Sequence, residues 1–279
     1  MPHGAFDVHS SQADYCELFD LIHVKDSRPP YWHVIAPWVE SHPGEREWLR
    51  SFALRHGSPI SQAEVEDLWR LYALSRVNET LLLGFQHGRS DGCDWPGPNI
   101  SLDDYQRFAE SLELTLTEPV TFSPFYHEVV EVDEVRDNDQ PLRLETTFWP
   151  CLLLGDMVFS RAGVRVSGGR QFIRKEVAES STLYWAFRRK NRPYRDLSHG
   201  WGSNSQWRTS FRRDYRVGQE FHYNVDGKHD LCAPEPVAED RDGLTREERT
   251  ELLTNRCFIR TTKLHDDLWP YDDVLRVRA

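Results

Sequence analysis

The spacing of apolar residues changes near Pro119, and this change limits the fold more than any other feature of the sequence. Upstream, apolar residues recur at helical spacing, as in the run Leu68, Trp69 and Tyr72. Downstream, the stretch FYHEVVEVDEV (125–135) alternates nearly residue by residue, which is typical of strands. A chain with both patterns in this order is predicted to place helices first and a sheet after them.

Helix starts can be placed by their capping signals. Ser61 with Glu64 and Thr245 with Glu248 fit the capping box, in which the first side chain accepts from the third helical amide. Ser101 with Asp104 predicts a shorter helix, and Pro43 opens another. We therefore expect helices at four places, one of them near the C-terminal end of the sequence.

Strand patterns fill the middle of the chain. LLLGDMVF (152–159) reads as one buried strand with a glycine irregularity, TLYWAFR (182–188) nearly alternates, and CFIRTT (257–262) suggests a last strand. The order of helices, strands and a final helix predicts an α+β fold with a mainly antiparallel sheet. The expected regions are a helical one over 1–117, a mainly antiparallel β region over 118–230, and a linker with a C-terminal helix and strand over 231–279.

Several classes of protein are disfavoured by composition. No apolar run approaches the roughly 20 residues needed to span a bilayer, so we expect no membrane partner. The 5 cysteines are scattered without Cys-x-x-Cys spacing, which argues against a zinc site or a disulfide framework. We expect reduced thiols, a cytoplasmic protein, and neither a metal nor an organic cofactor.

The charge is unevenly distributed along the chain. The net charge is −11, yet residues 161–216 carry 14 basic and 4 acidic side chains, whereas residues 1–120 carry 9 and 19. Such a basic segment is either paired internally or suited to an anion. Nucleic acid is disfavoured as a partner, because phosphate backbones would repel the molecule as a whole.

The densest group of polar and aromatic residues is GWGSNSQWRTSFRRDY (200–215). The stretch 207–217 fits a helix or a strand, and the alternation in EFHYNVDG (220–227) favours a hairpin of two strands. A three-residue loop, 218–220, would pair Val217 with Phe221 and keep the apolar residues on one face. The other face would then be polar, comprising Arg208, Arg212, Asp214, Arg216, His222, Asn224 and Asp226.

This face suggests a site for a small anionic ligand or substrate, such as a phosphate ester or a carboxylate. The arginines would clamp the anion, because guanidinium groups hold such groups through charge-assisted hydrogen bonds. The predicted ligand-binding residues are Arg208, Arg212, Arg216, Asn204, Trp201, Trp207 and Asn224. Proton transfer by a hydrolase or transferase is assigned to His222, His199 and Asp214.

Two alternatives remain open at this stage. The polar face would also result from a structural ladder of salt bridges, or from plain exposure to solvent. A second class of function is a non-catalytic module that binds a protein partner through its acidic N-terminal surface or a tryptophan-rich patch, for example to neutralise a basic partner.

Overall fold

The fold is α+β, with most helices in the first part of the chain and a large, mainly antiparallel sheet after them, as predicted. It was obtained as a computed structural model of the whole chain. The structure describes residues 12–24, 29–55, 59–88, 95–196, 198, 206–233, 243–263, 268 and 272–279. Within these residues, no helix is both long and apolar enough to cross a membrane.

Five α-helices precede the sheet, and the fourth has the most buried residues. They are α1 (Gln12–His23), α2 (Ala36–Ser41), α3 (Pro43–Ala53), α4 (Val65–Leu82) and α5 (Leu102–Ser111). A π-helical turn, Tyr31–Ile35, leads into α2, and a 3₁₀ turn, Leu83–Phe85, follows α4. Helix α4 is buried on most of its surface, which includes Arg76 and Asn78 as well as its leucines. This helix therefore carries polar side chains into the interior of the protein.

Three predicted helix starts can be compared with their caps. Ser101 accepts a hydrogen bond from the amide of Asp104 at 3.1 Å, so α5 begins as predicted. Both bonds of the capping box between Thr245 and Glu248 are present at α7 (Arg246–Asn255). The box predicted at Ser61 is wrong, because α4 begins at Val65 after an extended Glu64 and has no side-chain cap.

Seven strands form the main sheet. They are β1 (Thr115–Thr117), β4 (Cys151–Leu154), β5 (Met157–Ser160), β9 (Asp214–Val217), β10 (Glu220–Tyr223), β11 (His229–Asp230) and β12 (Asp273–Arg278). Their order is β1-β4-β5-β9-β10-β12-β11, and every neighbouring pair except β11–β12 is antiparallel.

Two smaller sheets accompany the main one. Strands β2 (His127–Glu134), β3 (Arg143–Trp149) and β6 (Ala162–Gly168) form a three-stranded sheet in the order β2-β6-β3. Strands β7 (Leu183–Tyr184) and β8 (Tyr194–Arg195) form a parallel ribbon of two residues each. The short helix α6 (Lys175–Ala178) lies between β6 and β7 and contacts β2.

The main sheet separates two hydrophobic cores, because alternate residues of its strands point to opposite faces. Leu152, Leu154 and Tyr215 join the core formed with the N-terminal helices. Cys151 and Tyr223 join a second core with the three-stranded sheet and α7. Both faces of the sheet are thus covered, and an apolar side chain on either face is buried.

The covering of both faces explains why the predicted hairpin register is wrong. Val217 pairs with Glu220, and Arg216 stands opposite Phe221, which is the register of a two-residue loop. Gly218 has φ +60° at the first loop position, where a type II′ turn places glycine. The prediction assumed one apolar and one polar face, and that assumption does not hold for a sheet between two cores. No continuous polar face exists along these two strands, and the first of them covers only Asp214–Val217 of the predicted 207–217.

Other strand predictions are corrected for local reasons. The stretch 152–159 forms two strands, β4 and β5, joined by a turn at Gly155 with φ +59°. Only residues 183–184 of the predicted 182–188 form a strand. The stretch 257–262 is irregular, because the amides of Ile259, Arg260 and Thr261 donate to the carboxylate of Glu251 instead of to a neighbouring strand.

Candidate functional site

Asp214 lies at the start of β9 and is surrounded by arginines. Its carboxylate accepts from Nε of Arg212 at 2.9 Å, from Nη2 of Arg256 at 3.2 Å and from Nη2 of Arg161 at 3.4 Å. The side chain of Asp214 is 0% exposed, and those of Arg161 and Arg212 are each 2% exposed. We call these four residues the Asp214 cluster.

The Asp214 cluster holds more positive than negative charge. Burial alone would raise the pKa of Asp214, but the guanidinium groups outweigh burial and lower that pKa to about 2. Burial also lowers the pKa of Arg212 to about 9 and that of Arg161 to about 10. Asp214, Arg161 and Arg212 are therefore charged at neutral pH, and three guanidiniums hydrogen-bond to one carboxylate.

Some arginine donors in the cluster are not used. Arg212 donates through Nε to Asp214 and through Nη2 to the carbonyl of Leu253 at 2.6 Å. Its Nη1 has no hydrogen-bond partner among the described residues, and the same is true of Nε of Arg256 and Nε of Arg161. Because buried donors are nearly always paired in proteins, unpaired ones at a buried charge need an explanation.

A cleft opens beside the cluster. It lies between α4, β5, the segments after β7 and β8, and the residues leading into β9. The described lining residues are Tyr72, Ser75, Asn78, Glu79, Phe159, Trp185, Phe187, Asp196, Phe211, Arg212 and Arg256. The guanidinium of Arg212 lies 4.0 Å from the centroid of a Trp185 ring, so an aromatic wall and a cation meet inside the cleft.

The backbone is strained at this place. Four non-glycine residues among those described have positive φ, and three of them belong to or touch the cluster: Trp185 (+58°), Asn224 (+51°) and Arg256 (+62°). Asn224 donates its amide to Asp214 at 2.8 Å. Left-handed backbone costs roughly 1–2 kcal/mol for an ordinary residue, and such strain concentrates at functional sites.

A second buried arginine network adjoins the cleft and is fully paired. Arg189 donates from Nε and Nη2 to Glu128, both at 2.7 Å, and from Nη1 and Nη2 to Glu79 at 2.9 and 3.1 Å. Its Nη1 also donates to the carbonyl of Arg188 at 2.6 Å. We call Arg189, Glu79 and Glu128 the Arg189 network. Glu79 lines the cleft. It belongs to the acidic region 1–120 and pairs with an arginine of the basic segment 161–216.

The structure brings together three of the predicted site residues. Arg212, Asp214 and Asn224 lie within one hydrogen-bonded group. All three are buried, whereas the prediction placed them on an accessible polar face. The arginines keep the Asp214 carboxylate ionised, so Asp214 serves as their counter-ion.

Four other predicted residues lie elsewhere. His222 is opposite Tyr215 in the hairpin, so it shares the face away from the Asp214 carboxylate and contacts Glu220 at 3.1 Å. The remaining three are not among the described lining residues of the cleft. Arg208 is exposed near Trp69, Arg216 is exposed and bonds to Gly218 and Tyr126, and Trp207 packs on Phe19. His199, Trp201 and Asn204 lie outside the described residues.

Sequence reasoning missed the residues that complete the site. Arg161 and Arg256 each stand next to buried apolar residues, in SRAGV (160–164) and NRCFI (255–259). An isolated arginine inside an apolar run is a weak signal of a buried cation, and it was the only signal there. Trp185 and Phe187 belong to an aromatic-rich stretch, but neither residue's spacing indicates a cleft.

Metal binding finds no support in the described part of the chain, where no group of three or more His, Cys, Asp or Glu side chains is arranged to hold an ion. Comparison of the chain with family models, with curated proteins and with solved structures gave no match.

Proposed function

We propose that the cleft beside the Asp214 cluster binds a small organic anion. The observation that carries this proposal is the surplus of buried positive charge next to open space. Three guanidiniums share one carboxylate, and Nη1 of Arg212 has no partner among the described residues although its side chain is 2% exposed. A bound anion would pair that donor and offset the surplus charge.

The lining of the cleft also suits such a ligand. Small-molecule sites are mostly apolar clefts with a few converging polar groups. Here the apolar part consists of Trp185, Phe187, Phe159 and Phe211, and the polar part includes Arg212. A ligand with an anionic group and a small apolar part matches both. The carboxylate of Glu79 already accepts hydrogen bonds from Arg189 and from the amide of Phe187, so its charge is already compensated.

The proposal concerns binding. Among the described residues that line the cleft there is no histidine, and His222 faces away from Asp214. The predicted proton transfer by His222 is therefore not part of it.

Calorimetric titration with benzoate and with phenyl phosphate tests the proposal directly. The native protein should bind at least one of the two. A charge-assisted hydrogen bond contributes roughly 1.5–3 kcal/mol, so Arg212→Met should weaken binding by about 10- to 100-fold. Arg208→Met is the matched control, because Arg208 is an exposed arginine that is not among the described cleft residues, and it should bind normally.

A second variant guards against misfolding of Arg212→Met. Arg256 ends α7 with φ +62°, a conformation that glycine adopts without strain. Arg256→Gly therefore removes a cluster guanidinium while easing the backbone, and it too should weaken binding. The proposal is overturned when neither probe binds the native protein, or when both variants bind as the native protein does.

A further inference from the structure

We propose that Arg76 is a latch that holds the cleft closed and thereby controls access to the anion site. This role rests on the proposed function, because it concerns how a ligand reaches the same cleft. In this structure the space within the cleft holds about one water molecule. A small organic anion therefore enters only when the segments that line the cleft move apart.

The guanidinium of Arg76 lies between two aromatic rings that belong to different segments of the chain. Its Cζ atom is 4.1 Å from the centroid of the Phe187 ring and 4.1 Å from that of a Trp207 ring. Its Nη1 also donates to the carbonyl of Gln206. Phe19 of α1 makes edge contacts with both rings, at centroid distances of 5.8 and 5.1 Å. Arg76 is 2% exposed and belongs to α4, so one buried cation joins both segments to this helix.

The two segments that Arg76 joins both line the cleft. Phe187 is itself a lining residue. Phe211 and Arg212, which follow shortly after Trp207, line the cleft as well. Cation–π attraction to Arg76 therefore holds both segments against α4, and loss of the guanidinium would let them separate.

The two segments can open without unfolding a helix or a strand. Both are irregular where they meet Arg76, whereas Arg76 lies within an 18-residue helix. Their backbones are also tied to α4: the amide of Phe187 donates to Glu79 at 2.5 Å, and that of Phe211 to the carbonyl of Leu68 at 3.2 Å. Separation of the segments breaks these two hydrogen bonds, so the exchange of these amide hydrogens reports opening.

Hydrogen exchange of the ligand-free protein tests the latch. Arg76→Met removes the guanidinium and keeps an unbranched side chain. Trp207→Leu removes one of the two rings, on a residue that is not among the described cleft residues, and it serves if Arg76→Met folds poorly. Arg208→Met is the matched control, because it removes a guanidinium that lies 5.8 Å from a Trp69 ring, on the residue next to Trp207.

The amides of Phe187 and Phe211 should exchange about tenfold faster or more in Arg76→Met and in Trp207→Leu, since each variant loses a buried cation–π contact. The amides of β5 should exchange as in the native protein, and Arg208→Met should match the native protein throughout. Unchanged exchange at Phe187 and Phe211 in both variants would overturn the latch. Equal acceleration in β5 would also overturn it, because Arg76 would then only stabilise the fold as a whole.

Access to the anion site is measured separately, by stopped-flow association of benzoate. Association should be about tenfold faster with Arg76→Met than with the native protein, and equal rates would overturn the control of access. If neither benzoate nor phenyl phosphate binds any of these proteins, the proposed function fails. The exchange data would in that case still decide whether Arg76 holds the two segments together.

Discussion

The two buried arginine networks beside the cleft have opposite composition. In the Arg189 network one guanidinium serves two carboxylates, and its donors are used by Glu79, Glu128 and a carbonyl. In the Asp214 cluster one carboxylate serves three guanidiniums, and three of their nitrogens lack partners among the described residues. Burial alone therefore does not distinguish the fully paired network from the proposed anion site. The better criterion is whether every donor nitrogen of the arginines has a hydrogen-bond partner.

The largest effect is expected when the one carboxylate of the Asp214 cluster loses its charge. Asp214→Asn keeps the shape of the side chain and leaves three guanidiniums, two of them buried, without their counter-ion. Breaking a buried pair in this way costs about 3–5 kcal/mol of unfolding free energy, which urea denaturation measures. Inorganic phosphate should restore part of the loss, because an anion can replace the missing charge.

The control for this change is Asp104→Asn. Asp104 pairs with Arg107, whose side chain is 52% exposed, so the cost should stay below about 1 kcal/mol. A loss in Asp214→Asn no larger than in this control would contradict the assignment of Asp214 as the central counter-ion.

A slightly smaller loss is expected in the Arg189 network. Arg189→Met leaves two buried carboxylates unpaired and should lower the unfolding free energy by roughly 3 kcal/mol or more, although Arg192 still compensates part of that charge. Phosphate should not restore this loss, since the deficit has the opposite sign. Rescue of Arg189→Met by phosphate to the same degree as Asp214→Asn would remove the distinction between the two networks.

The smallest effect is expected on the stability of the protein at acidic pH. The pKa of Asp214 is about 2 in the folded protein and 3.8 ordinarily, so this group stabilises the fold by about 2 kcal/mol above pH 4. That contribution is lost as the pH falls from about 4 towards 2, because the unfolded chain takes up the proton first. In Arg256→Gly the carboxylate has one guanidinium less, so the loss should begin at a higher pH. The midpoints of urea unfolding across this pH range measure this loss. Identical acid profiles of the native protein and Arg256→Gly would contradict the prediction.

Local rules predicted four of the seven described α-helices, and they were insufficient for the site. The caps at Ser101 and Thr245 follow from residues three positions apart, and both are present. Ser61 satisfied the same spacing and does not cap, because α4 begins only at Val65, so Ser61 lies before the helix. Its carbonyl instead accepts from Arg213, 152 positions away, at 3.0 Å. The order of helices and strands, and hence the α+β class, depends on periodicity and could be predicted.

The site depends on contacts that no local pattern contains. Arg212 was selected for its chemistry, yet its surroundings come from Arg161 and Arg256, 53 and 42 positions away from Asp214 respectively. The prediction also treated the hairpin as having a solvent-facing side, whereas Asp214 faces α7 and its C-terminal residues. Long-range placement of charged groups is what the sequence alone could not supply.

The two walls of the cleft belong to secondary-structure elements that differ in expected stability. Phe159 belongs to β5, a strand paired on both edges and covered on both faces, where amide hydrogens are expected to exchange only when the whole domain opens. Trp185 and Asp196 follow the ribbon β7–β8, whose strands have two residues each. So short a ribbon is marginal by itself, and its amides should exchange through local opening. The proposed ligand would then enter by displacing the ribbon side of the cleft, while the sheet that holds Asp214 keeps its register.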